Sequence, residues 1–181
     1  ARAERLGEVP LVQARLFDAL GSVQLSLGNL DDGERHIARS LDIRQRVLGD
    51  SSLETAASAA RLADVWRRRG DYVRADSLAA VALAIRRARL APSDPDVAAS
   101  LRQLSGIAVY RDDLERAITL IRESLTARRA SGQVDDSTTV EDLLALGSVQ
   151  WRRGALSEGV ETLREAAAVA ARLGPRPNRQ H

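Results

Sequence analysis

The sequence predicts an all-α fold: about four helix-turn-helix repeats forming an α-α superhelix, or solenoid. Three observations predict it. Residues of matched size and polarity recur every 42 positions across the 181-residue chain. Within each period apolar residues fall at steps of three and four, the spacing of one helix face. Between two such stretches stands a short turn, GNL, GDY, DDL and GAL in the four periods, built from residues that end one helix and start the next.

The columns at 42-residue spacing are Leu20, Leu62, Leu104 and Leu146; Val23, Val65, Ile107 and Val149; Leu30, Tyr72, Leu114 and Leu156; Gly33, Ala75, Ala117 and Gly159; and Leu41, Leu83, Leu125 and Ala167. The turn column is Gly28, Gly70, Asp112 and Gly154. In the third period Val97, Leu101, Leu104 and Ala108 lie on one helical face before the turn, and Leu114, Ala117, Ile118, Ile121 and Leu125 lie on one after it. Helices are expected at 11–27, 30–48, 53–69, 72–90, 95–111, 114–130, 137–153 and 156–173. Asn29, Asp71 and Asp113 suit the N-caps of second helices, where Ala155 offers no side-chain oxygen. Asp94-Pro95 reads as a cap followed by proline in the first turn. Ser51 with Glu54, and Thr138 with Glu141, have capping-box spacing. No stretch alternates with period two, so no sheet is expected.

These boundaries divide the chain into repeats at 8–49, 50–91, 92–133 and 134–174. Residues 1–7 align one period before Ile43–Gly49 and read as the tail of a preceding repeat's second helix. Residues 175–181, with two prolines in the run PRPNRQH, read as a disordered tail or linker. The first residue is Ala1 and not methionine, which fits a piece excised from a longer protein.

Composition narrows the function. The chain is 44% hydrophobic but only 3% aromatic, so its core is one of Ala, Leu, Val and Ile, which suits closely packed helices. The formal net charge is +2, although all 27 basic residues are arginine, the codon signature of a GC-rich genome and a hint of a bacterium. A balance that close to neutral argues against nucleic acid as a partner. No apolar run approaches the roughly 18 residues that cross a bilayer, so no membrane partner and a cytoplasmic location are expected. There is no cysteine, and the two histidines, His36 and His181, are far apart, which removes thiolate and His-rich metal sites. No phosphate loop, nucleophile elbow or metal spacing occurs, so the expectation is a non-catalytic protein with no cofactor.

The unit resembles the tetratricopeptide repeat, whose pattern is W-x2-L-G-x2-Y, A-x3-F, P. Matching positions are Phe17, Leu20, Gly21, Gln24, Gly33 and Ile37 in the first unit, and Leu143, Leu146, Gly147, Gln150, Gly159 and Leu163 in the fourth. Asp94–Arg129 follows the pattern most closely. The usual repeat has about 34 residues; a 42-residue unit resembles the repeats of kinesin light chains and their bacterial relatives. The resemblance implies a scaffold for protein–protein interaction that holds a peptide or protein segment in a concave groove lined by first helices. Carried over position by position, the groove would hold Arg15, Asp18, Arg61, Asp64, Arg67, Arg68, Arg102, Gln103, Tyr110, Trp151 and Arg152. The positions where kinesin light chains carry asparagine hold Asp18, Ala60, Arg102 and Leu144 here.

Several readings of these residues stay open. Trp66, in VWRRRGDY, takes the family's tyrosine position and reads as packed, whereas Trp151, in VQWRRGAL, sits one residue later and reads as facing the groove. Arg67, Arg68 and Arg152 suit the negative end of a first helix, or form with Arg61 and Arg102 a basic groove for an acidic peptide. Arg44 with Arg46, Arg86 with Arg87, and Arg128 with Arg129 recur near the ends of second helices with the period and read as structural. His36 reads as a solvated surface residue. The Ala-rich last helix lacks a strongly polar outer face, so self-association through it is expected. Arrays with openings like VPLVQARLFDALGSVQLSLG follow kinase domains in bacterial serine/threonine kinases, and the resemblance implies that signalling context. The alternative is a ligand- or peptide-sensing domain of a transcription regulator.

Overall fold

The computed structural model describes residues 2–133 and 136–174, with side chains from Val9 onward. The last seven residues, expected to be a tail, lie outside the described residues. Among those described there are eight α-helices and no strand: α1 (Arg2–Ser26), α2 (Leu30–Leu48), α3 (Leu53–Arg68), α4 (Tyr72–Arg89), α5 (Pro95–Tyr110), α6 (Leu114–Ala130), α7 (Ser137–Arg153) and α8 (Leu156–Leu173). They fall into two compact units, α1–α4 up to Arg89 and α5–α8 from Leu90.

In each unit every helix packs on the next in sequence, more extensively inside a hairpin than between hairpins. The first unit's core joins Ile37, Leu62 and Val65, with Leu25, Leu41 and Trp66 against them; Ala56, Ala59 and Ala82 form a second cluster. The second unit's core runs through Ile118, Ile121, Leu125, Leu143, Leu146, Val149, Ala166 and Val169. Leu62, Val65, Leu41, Leu125, Leu146 and Val149 belong to the columns that the periodicity singles out, whereas Leu20, Val23, Leu156 and Ala167 of the same columns are exposed.

The hairpin turns share one geometry. Asn29, Asp71, Asp113 and Ala155 donate their N–H to the carbonyls of Gln24, Trp66, Ala108 and Gln150 at 2.9–3.0 Å. That bond requires the preceding residue to be left-handed, and Gly28, Gly70 and Gly154 have φ of 82°, 80° and 90°. In the third hairpin Asp112 takes the same conformation at φ 59°. Hairpin helices also approach closely enough that a Cβ on Gly21 would sit 2.6 Å from Ile37 Cγ1 and 3.2 Å from the Gly33 carbonyl oxygen.

Several helix starts differ from the spacing-based expectation. Asp71 and Asp113 accept from the N–H groups of Arg74 and Arg116, but Asn29 makes no cap bond; its amide donates to Gln24 Oε1 instead. The cap of α3 is Ser52, not Ser51, and that of α7 is Asp136, not Thr138. A threonine explains the shift. Thr55 and Thr139 hydroxyls reach back to the carbonyls of Gly49 and Gln133, which fixes the loop and brings the residue three before each threonine to its N–H. At the N-terminus α1 runs unbroken through Gly7 and Pro10, so residues 2–7 extend the first helix where the spacing predicts the end of a separate one.

Gly70→Ala forces a Cβ into the left-handed region and should destabilise the chain by about 1 kcal/mol. Asp112→Gly in the same column should be neutral or stabilising. Urea unfolding of both variants checks the pair.

Candidate interaction surface

The charged side chains meet where one hairpin joins the next. In the first unit Arg44, on α2, is buried against α1 and α3. Its Nη2 lies 2.6 Å from Asp18 Oδ2, and its Nη1 donates to Ser58 Oγ at 2.7 Å and to the Glu54 carbonyl at 3.1 Å. Ser40 Oγ stands 3.3 Å from Ser58 Oγ. Arg61, half in solvent, closes on the same Asp18 oxygen. Asp18 is only 4% exposed, and neither of its oxygens accepts a well-aligned hydrogen bond from a protein group.

The α6–α7 joint of the second unit uses the same positions with a different distribution of charge. Arg128 is the equivalent of Arg44; it pairs with Asp136 and donates from Nε to Thr139 Oγ1 at 3.3 Å. Ser124 donates to Asp142 Oδ2 at 3.0 Å. Arg102 takes the position of Asp18, pairs with Glu141 at 2.8 Å, and has Nε 3.7 Å from Asp142 Oδ1. Burial pushes the Asp142 carboxyl above the usual carboxylate range, against the Ser124 hydroxyl and the Arg102 and Arg128 charges, which pull it down. At Asp136 burial also pushes upward, but the Thr139 amide and hydroxyl together with Arg128 outweigh it, and the net direction is down.

The expected groove residues are accordingly distributed. Arg15, Asp18 and Arg61 come together around a shallow pocket of about 270 Å³, completed by Ala19, Ser22 and Arg44. Arg67 and Arg68 are held on Asp64 at 2.6 and 2.7 Å, and Arg68 also donates to the Leu25 carbonyl. Arg152 pairs with Asp112 at 3.0 Å. Gln103 is half-buried, Tyr110 is exposed, and Trp151 is 66% exposed. Trp66 is half-buried, with the Arg74 guanidinium 4.5 Å and that of Arg69 5.7 Å from its ring centre. His36 is not simply solvated: it is half-buried and stacks on Phe17 at 5.8 Å. Among the described residues no group of three His, Cys, Asp or Glu side chains could hold a metal, and no helix is long and apolar enough to cross a membrane.

The family model described as tetratricopeptide repeat matches residues 12–88, spanning the first two hairpins. The match covers under half of the chain; the fold over the described residues is that of a tetratricopeptide-repeat solenoid. The chain's solved structural neighbours share the fold at low identity. BtubC (BKLC) from P. vanneervenii superposes with a TM-score of 0.85 at 20% identity over 95% of this chain and 69% of its own. A crystal structure of the nearly identical TPR-like repeats of a kinesin light chain from Podosopora anserina gives 0.80 at 18% identity over 89% and 76%. The apo form of RapI gives 0.80 at 15% over 90% and 57%. No curated protein matches the sequence.

Two substitutions test the joints. Arg44→Ala leaves the buried Asp18 with Arg61 alone and should cost about 3–5 kcal/mol, the usual cost of breaking a buried pair. Asp142 binds its proton more tightly folded than unfolded, so its contribution to stability declines as pH rises from the ordinary value of 3.8 through its raised one. Asp142→Asn, which keeps an acceptor for Ser124, should abolish that decline and be at least as stable as the parent at neutral pH. The opposite trend from Asp136 lies below 3.8 and is unaffected. Denaturant unfolding across a pH series measures both.

Proposed function

We propose that the array binds an extended protein segment carrying an acidic side chain or a C-terminal carboxylate, and that the pocket around Asp18 receives it. The reading rests on that pocket. Its charged walls hold three guanidiniums, Arg15, Arg44 and Arg61, against the single carboxylate of Asp18. Arg44 is committed to the joint, whereas Arg15 and Arg61 are exposed on first helices, within reach of a ligand. Guanidinium forks take carboxylates two-pronged. Asp18 Oδ1 is buried in the same wall, out of a ligand's reach, so the exposed Arg15 and Arg61 guanidiniums are the groups that meet the segment.

Arg67, Arg68, Arg102 and Arg152 are held by Asp64, Glu141 and Asp112, which makes a single continuous basic groove the weaker form of the idea. In this reading the array is the recruiting part of a larger bacterial signalling protein; its resemblance to arrays that follow serine/threonine kinase domains supports that context. Self-association through the exposed apolar side of α8 is a second part of the proposal, supported by Leu156, Val160 and Leu163.

The test is calorimetric titration with a glutamate-rich peptide ending in a free carboxylate, beside its amidated form. The Arg15→Ala, Arg61→Ala double variant should bind at least tenfold more weakly, equivalent to about 1.4 kcal/mol, with helicity unchanged. Affinity should also fall as salt rises. Equal affinity of parent and variant would remove the pocket from the function.

A further inference from the structure

The first helix carries an apolar stripe that no described element covers. Val9, Val12, Leu16, Leu20, Val23 and Leu27 follow at steps of three and four, and each is between 48% and 68% exposed. Two internal joints show what such a stripe does in this fold. The α3 residues one period on from Leu16, Leu20 and Val23 are Ser58, Leu62 and Val65; three periods on, in α7, they are Asp142, Leu146 and Val149. All six are buried, and α2 or α6 packs on the helix that carries them. The face of α1 is therefore the receiving side of a joint.

The last helix presents the other side. Leu163, Ala167 and Ala170 stand where α2 has Ile37, Leu41 and Arg44 and α6 has Ile121, Leu125 and Arg128. Ile37, Arg44, Ile121, Leu125 and Arg128 are buried and Leu41 is half-buried, whereas Leu163, Ala167 and Ala170 are all exposed.

The two ends depart from the internal pattern in compensating ways. Inside the units a buried arginine of the second helix meets a polar residue of the next first helix: Arg44 on Ser58, and Arg128 with Asp142 among the charges acting on that carboxyl. At the ends the arginine is replaced by Ala170 and the polar residue by Leu16. Leu16 opposite an arginine would strand a buried charge; opposite Ala170 it has an apolar partner with room for it.

From this complementarity we infer that α8 of one copy docks on α1 of a second copy, reproducing the joint between hairpins in an all-apolar form. The inference rests on the proposal that α8 self-associates, and adds the surface that receives it. The contact is head-to-tail, so it propagates into a chain of copies or closes into a ring instead of stopping at a symmetric dimer.

Two exposed positions test it. In sedimentation velocity the parent chain should gain mass with concentration beyond a dimer, while Leu16→Glu and Ala170→Glu alone are monomeric with unchanged helicity. Mixed in equal amounts, the two variants should form a dimer and nothing larger, because each retains the surface the other lacks. If Leu16→Glu still associates while Ala170→Glu does not, α8 pairs with something other than α1, and this inference fails while self-association through α8 stands. A monomeric parent, or association that survives Ala170→Glu, overturns both.

Discussion

A helical hairpin has more apolar surface than its own two helices can cover. Each α1–α2 or α7–α8 pair buries one side of its helices at the crossing, where Gly21, Gly33, Gly147 and Gly159 let the backbones approach. The other sides need a neighbour. In a repeat fold that need is met by the next copy of the same hairpin, so the sequence must solve one packing problem several times. The constraint accounts for the 42-residue columns, for the joints at α2–α3 and α6–α7, and for the apolar faces left on α1 and α8.

The joints are not solved with apolar residues alone. Arg44 and Arg128 are buried at equivalent positions and met by Asp18, Ser58, Asp136 and Thr139. A buried pair of this kind adds little net stability over an apolar one, because desolvation offsets the attraction. Its use is positional. A stripe of leucines and valines would pack almost as well after sliding one turn, whereas Arg44 finds Ser58 Oγ, the Glu54 carbonyl and Asp18 together in only one register. The faces of α1 and α8 differ from these joints, with Leu16 and Ala170 at the positions that carry polar or charged residues inside the units.

The fold was legible in the sequence because its signals are local and repeated. A period of 42 multiplies each weak cue by four, and the glycine–aspartate turns and apolar steps point to the same boundaries. Even the exception could be followed: Asp112 stands in a glycine column and adopts the glycine conformation. The caps of α3 and α7 were not legible, since Ser51 and Thr138 have the right spacing and lose to Ser52 and Asp136 through bonds from Thr55 and Thr139 that reach six residues back. His36 was misread for a related reason: its stacking partner Phe17 lies on another helix. The charge pairing was the hardest part, because Arg61 and Asp18 are 43 positions apart, and nothing in the local sequence marks them as partners.

That pairing changes what a run of arginines means. VWRRRGDY reads as a basic patch, yet Arg67 and Arg68 share Asp64, Arg69 lies between Asp31 and Glu34, and Arg74 covers the Trp66 ring. Charges bound to one another in this way present a nearly neutral surface to a partner, in keeping with the net charge of +2. At Asp18 the pairing is uneven: Oδ2 is held by Arg44 and Arg61, and the exposed guanidiniums of Arg15 and Arg61 stand around it. Under the proposed function, those two exposed guanidiniums, and not the number of arginines in the first unit, would select a ligand.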